Sequence, residues 1–214
     1  MAQNSIVMER TQGGPRLRKL TQPLYDTTIV GGVGDGAYTR LQFFAIPKNG
    51  LMPWTAANKT DADTNMTSQS QLGMPMRFAW RGIQYEYFTH SPEVNEAIAA
   101  DMGDAYDQSV FTFNFSNGRP WHQFPLSRIP SGTMLTGTID TGDVTGNTEF
   151  AWLGNGEASV REVYDVTIGK QPIAIGSKET FTADITWPNG AVTSTTADRR
   201  RARLFLTGEL YSSI

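Results

Sequence analysis

The sequence predicts an all-β protein, a single jelly roll or two-sheet antiparallel β-sandwich with one short inserted helix. Three observations carry this. Runs of alternating apolar and polar residues, bounded by glycine, proline and asparagine, fill most of the 214 residues. No strand-helix-strand unit recurs, which argues against a parallel α/β sheet. A single segment carries helix-start signals together with helical spacing, so helices are a minor part of the chain.

The chain opens on Arg10, Arg16, Arg18 and Lys19 against one acid, Glu9, with Gly13, Gly14 and Pro15 interrupting any regular element. This reads as a flexible basic arm over residues 1–22, followed by one domain over 23–214. A solvated terminus and an arm that reaches a neighbouring subunit, nucleic acid or anionic lipid weigh about equally.

Alternation begins at Leu24. Tyr38 to Ile46 reads as a strand closed by Pro47 and the Lys48-Asn49-Gly50 turn. Residues 47–75 are then long and polar, a length that inside a domain is usually functional or mobile. Met76, Phe78 and Trp80 share one parity whereas Ile83, Tyr85 and Tyr87 share the other, so the register slips by one near Arg81-Gly82. A β-bulge there accounts for the slip. Ser91-Pro92-Glu93 supplies a helix N-cap, a proline at the first helical position and a first-turn acid; Val94, Ile98 and Met102 then fall four apart before Gly103. This predicts the inserted helix over 92–102.

Phe111, Phe113 and Phe115 alternate with polar residues up to the Asn117-Gly118 turn, and Trp121 to Ile129 continues as the next strand. Further strands are expected over 133–139, 148–153, 160–168 and 172–175. Phe181, Ala183, Ile185 and Trp187 alternate before Pro188-Asn189-Gly190. The last strand places Leu204, Leu206 and Leu210 on one face and Arg203, Phe205, Glu209 and Tyr211 on the other. No repeat of fixed period interrupts the single domain.

Composition narrows the function classes. Charged residues are 18% against 39% hydrophobic and 11% aromatic, a balance that suits a surface covered by neighbours. Net charge is −3, so nucleic-acid binding of the generally basic kind is excluded and any such contact is local. With no cysteine there are no disulfides, thiolate metal sites or cysteine nucleophiles. Neither a signal-peptide core near Met1 to Arg10 nor a run of the roughly 20 apolar residues that span a bilayer is present, so the chain reads as soluble and not Sec-exported.

Catalytic patterns are sparse. His90 and His122 are isolated and belong to no paired-ligand motif; no Gly-x-Ser-x-Gly elbow appears. Asp61, Asp63 and Asn65 imitate a calcium loop, but Met66 replaces its glycine and Leu72 its closing glutamate, so only a looser site drawing on Asp61, Asp63, Asp140 or Asp143 stays open. Gly31-Gly32-Val33-Gly34-Asp35-Gly36 precedes a strand instead of a helix, which removes the phosphate-cradle reading. Glu149, Glu157, Glu162 and Asp165 have ordinary density and give glycoside hydrolysis little weight. Phe78, Trp80, Phe181 and Trp187 fall in strand alternation, where core packing is expected. Arg199, Arg200, Arg201 and Arg203 open the last strand; alternate arginines point to opposite faces, so they either pair with nearby acids and blunt a sheet edge or contact a subunit or polyanion.

Gln22-Pro23-Leu24-Tyr25-Asp26, Lys59-Thr60-Asp61-Ala62-Asp63-Thr64-Asn65, Gln71-Leu72-Gly73-Met74-Pro75, Arg119-Pro120-Trp121 and the closing strand Arg203 to Leu210 together resemble the jelly-roll capsid proteins of tailless bacterial viruses, particularly those built around an internal membrane. The resemblance spans most of the chain as a pattern. It implies a single jelly roll in an icosahedral bacteriophage shell, assembled in the host cytoplasm and located in the virion, with no catalysis and no cofactor. The implied partners are copies of the chain itself, other capsid proteins such as penton, spike or minor proteins, and the internal membrane or genome through the basic arm. The assembly contacts expected are Arg10, Arg16, Arg18 and Lys19 in the arm and Arg199, Arg200, Arg201 and Arg203 in the last strand. The rival reading is a carbohydrate- or receptor-binding β-sandwich using exposed aromatics such as Trp54 or Trp152.

Overall fold

The computed structural model describes residues 7–9, 17–31, 35, 37–88, 108–115, 119–129, 163–177, 179–190 and 200–213. The helix expected over 92–102 and the strands expected over 133–139 and 148–153 lie outside them. The described strands are β1 (Val7–Glu9), β2 (Leu17–Leu20), β3 (Leu24–Val30), β4 (Arg40–Phe43), β5 (Arg77–Phe88), β6 (Val110–Phe115), β7 (Arg119–Pro125), β8 (Tyr164–Asp165), β9 (Ile173–Ile175), β10 (Phe181–Thr186) and β11 (Arg200–Ser213).

Their pairing is nested. β3 pairs with β11, β4 with β10, β5 with β8 and β9, and β6 with β7, all antiparallel. The chain is thus one long hairpin of strand pairs, rolled so that β11 also meets β5 and β10 also meets β6. The result is two antiparallel sheets, a seven-stranded one centred on β11 and β5 and a four-stranded one in the order β4-β10-β6-β7. Nested pairs closed this way are the connectivity of a jelly roll.

Two strands of the roll are interrupted. β2 and β3 lie end to end along β11 in one continuous register, Leu20 opposite Leu210 and Leu24 opposite Leu206. They are one strand broken at Thr21-Gln22-Pro23, where proline has no amide to donate. The expectation of a flexible arm through residue 22 therefore does not hold for Leu17–Leu20, which sit in the sheet with Leu20 against the core and β1 paired outside them. β8 and β9 are likewise one strand along β5, interrupted by a tight hairpin at Ile168–Gln171 whose Gly169 and Lys170 both have positive φ.

The expected bulge is present. The β5–β11 register shifts between Thr207 and Gly208, so Phe78 and Trp80 on one side and Ile83, Tyr85 and Tyr87 on the other all face the core. Gly208 permits it, since a Cβ there would lie 2.1 Å from the Ala79 carbonyl oxygen. Elsewhere tertiary contacts shorten the expected strands. β4 stops at Phe43, because Phe44 turns into a left-handed conformation (φ 64°) and its amide bonds Asp26. β7 stops at Pro125, and Leu126–Arg128 form a single 3-10 turn with Leu126 buried.

The core lies between the sheets. Trp80 of the larger sheet meets Phe113 of the smaller at 4.3 Å between centroids, and Phe113 stacks in turn on Phe181 at 6.1 Å. Tyr38 meets Trp187 edge to face at 5.1 Å. Each such side chain contributes roughly 1.5–3 kcal/mol by leaving water. Phe78, Trp80, Phe181 and Trp187 are all buried, as their alternation predicts.

Candidate functional site

The best-organised polar constellation joins the two sequence segments Pro23–Asp26 and Lys59–Asn65. Asp26 points inward from β3, opposite the buried Leu204 of β11. Lys59 reaches it from the long connection between β4 and β5, Nζ to Oδ1 at 2.6 Å, with both side chains at most 1% exposed. The Phe44 amide donates to the other carboxylate oxygen at 2.6 Å, so three elements converge on one carboxylate. Burial pushes the Asp26 carboxyl above its ordinary range, opposed chiefly by the Lys59 ammonium.

Around this pair the connection is stitched along the free edge of β3. Thr64 bridges to Asp26 as an added strand residue, and its hydroxyl donates to the Tyr25 carbonyl at 3.1 Å. Asn65 accepts from the Tyr25 amide at 3.0 Å and donates to the Pro23 carbonyl at 2.8 Å, while the Tyr25 hydroxyl donates to the Asp61 carbonyl. The long polar segment is thus a strap fastened over the sheet edge.

The strap also disposes of the calcium-like spacing. Asp61 takes the Lys48 ammonium at 2.6 Å, Asp63 takes the Thr60 amide and hydroxyl at 2.9 Å each, and its second oxygen takes Arg201 at 3.3 Å. Each oxygen-bearing side chain of the imitation loop has a partner within the protein. Asp140 and Asp143 lie outside the described residues, and among the described residues no three His, Cys, Asp or Glu side chains come together as a metal site.

Among the described residues, the basic side chains singled out in the sequence do not form one patch. Arg10, Arg16 and Arg199 lie outside the described residues. Arg18 is exposed on β2, and Lys19 pairs with Glu209 at 2.9 Å. Arg200 is fully buried, whereas Arg201 and Arg203 point to the opposite face, as strand alternation requires. Arg203 donates to Thr27 Oγ1 at 2.9 Å and to the Ala62 carbonyl at 3.0 Å, faces Glu86 at 3.8 Å and lies over the Phe205 ring. Lys19 sits opposite Tyr211, eight residues from Arg203 along β11, a separation of about 27 Å. β11 is moreover paired on both sides, so these arginines do not blunt an edge.

His122 lies on β7 with its ring edge-on to Trp80 at 5.6 Å. Burial lowers its pKa, and its buried Nε2 meets no hydrogen-bond partner among the described residues. His90, Trp152, Glu149, Glu157 and Glu162 lie outside the described residues, and Asp165 is exposed at the sheet margin. Sequence reasoning missed a second cluster on the outer face of the smaller sheet, where Asp184 accepts from Arg40 at 2.8 Å and Asn114 at 2.7 Å. Burial raises this carboxyl against both donors. Partners 33 residues apart, as in Asp26 and Lys59, or 144 apart, as in Arg40 and Asp184, leave no local pattern to read.

Neither family models, nor curated proteins, nor solved structures give a match to this chain. Among the described residues no helix is long and apolar enough to cross a membrane.

Proposed function

We propose that this chain is a viral structural protein, a self-assembling capsid subunit of an icosahedral bacteriophage shell, which acts by geometry and not by catalysis. The observation that carries the reading is the nested strand pairing, β3 with β11 through β6 with β7, in a single roll. Two of the segments behind the capsid-protein resemblance, residues 22–26 and 59–65, support it by folding into one clasp around Asp26 and Lys59. Shells of this kind close through repeated contacts between identical copies.

Three of the sheet margins, those at β7, at β3 and at β8 and β9, agree with such an assembly. β7 carries Pro120 and Pro125, β3 is covered by the strap at Thr64, and the margin at β8 and β9 is broken by the Ile168–Gln171 hairpin. These devices oppose open-ended strand addition, the route to fibres, and leave faces, loops and termini for contact. The partners in this reading are further copies of the chain, penton, spike or minor capsid proteins, and the internal membrane or genome through the basic residues before β2.

Negative-stain electron microscopy and sedimentation of the purified full-length protein over a concentration series test the proposal. Closed particles of uniform diameter above a threshold concentration are expected. A monomer at every concentration, absent also from any particle made when the protein is co-expressed with its neighbours in the genome, would overturn it.

A further inference from the structure

A second feature stands apart from the shell reading and does not depend on it. Residues 49–58, Asn-Gly-Leu-Met-Pro-Trp-Thr-Ala-Ala-Asn, contain no charged side chain. They form a small hairpin at the start of the strap. The Asn49 amide bonds the Lys59 carbonyl at 2.9 Å, the Lys59 amide bonds the Gly50 carbonyl at 2.8 Å, Leu51 bridges to Asn58, and the Met52 amide bonds the Ala57 carbonyl at 3.0 Å. Met52 and Lys59 are buried and anchor one side. Gly50 fits there because a Cβ would lie 2.6 Å from Ile46.

The other side of the hairpin is presented to solvent. Leu51 is 59% exposed and Trp54, at the tip, 39%. Asn49 and Asn58 are exposed and flank them, and neither side-chain amide is engaged by another group of the described residues. Trp54 adopts φ 63°, a left-handed conformation that a large L side chain rarely takes. Thr55 holds the tip in that conformation, its hydroxyl accepting from the Ala57 amide at 3.2 Å and lying near the Met52 and Ala57 carbonyls. Trp54 thus keeps 39% of its surface in water on a strained, internally bonded tip and is not among the residues of the buried core.

We propose that this hairpin is a binding site for a neutral saccharide, with Trp54 as the stacking platform and the Asn49 and Asn58 amides bonding sugar hydroxyls. An amide supplies both donor and acceptor, as vicinal hydroxyls require, and the apolar face of a pyranose matches an indole ring. The ten-residue absence of charge selects a neutral ligand over an anionic one; Lys48, which precedes the hairpin in sequence, and Asp61, which follows it, are paired with each other at 2.6 Å.

The test is an array of immobilised neutral hexose and N-acetylhexosamine oligosaccharides, with sialylated and sulfated ones beside them, probed with the full-length protein and its variants. The wild type should bind at least one neutral oligosaccharide. Trp54→Gly and Trp54→Ala should lower that signal at least roughly tenfold, and Trp54→Tyr should retain much of it. Glycine accepts φ 63° without strain, which offsets the packing lost with the partly covered indole, so Trp54→Gly should melt close to the wild type, whereas loss of a merely structural tryptophan would lower it by many degrees. Should that variant fail to fold, Asn58→Ala, at an exposed amide, should weaken binding severalfold with an unchanged melting temperature. The proposal is overturned if only the charged glycans are bound or none is, if binding survives Trp54→Gly, or if that substitution abolishes self-association while leaving glycan binding intact, which would make the hairpin a subunit contact.

Discussion

The most consequential single residues are Asp26 and Lys59, because a buried charge without its partner is costly. Lys59→Met leaves the Asp26 carboxylate buried with the Phe44 amide as its remaining strong donor, and is expected to cost about 3–5 kcal/mol in urea unfolding. The double variant Asp26→Asn/Lys59→Met should be less destabilised than Lys59→Met alone, since a neutral amide oxygen still accepts from Phe44. Without Lys59 the Asp26 carboxyl is pushed up further, so the fold favours its protonated form. The deficit of Lys59→Met should therefore shrink as the pH falls toward 4 and grow as it rises. His122 behaves oppositely. Its lowered pKa means that the folded state favours the neutral ring, a contribution fully present above the ordinary value of 6.5 and lost as the pH falls below it. Proton NMR should place the His122 titration below 6.5, and His122→Phe, which keeps a ring against Trp80, should flatten the acid side of the stability profile.

At the scale of elements, what the sequence discloses is what is local. The parity slip between Trp80 and Ile83 announces the β5 bulge because alternation records which face each residue occupies. The partner side is legible only afterwards: Gly208 sits where the bulged strand approaches most closely, and Gly208→Ala should cost at least about 1–3 kcal/mol by overpacking against the Ala79 carbonyl. The end of β4 was not legible, because Phe44 leaves the strand to bond a carboxylate eighteen residues away. Nor was β2, whose two leucines lie beside breakers and become strand only against β11. This divides the terminal segment in two. Deletion of residues 1–16, which removes the short edge strand β1, is expected to lower the melting temperature slightly and to impair assembly, whereas deletion of 1–20 should lower it further, by removing the Leu20 packing and the Lys19–Glu209 pair. Differential scanning calorimetry beside sedimentation separates the two effects.

For the whole molecule, alternation and turns announce an all-β sandwich, but the order of strands within it is a property of long-range pairing that no single segment carries. Of the candidate site, the sequence shows the residues of the clasp and of the Trp54 hairpin without showing that Asp26 and Lys59 meet, or that Trp54 is held out in a left-handed turn. The shell reading unites the nested roll with margins that oppose strand addition, and leaves exposed loops and the basic terminal segment as the contact surfaces. Its most direct test is a cryo-electron-microscopy reconstruction of particles containing this chain. The account predicts a closed icosahedral shell whose repeated density fits the β3-β11-β5 and β4-β10-β6-β7 sheets, one roll per subunit. Particles whose shell is built from another protein, with this chain absent or confined to a soluble monomer, would contradict it.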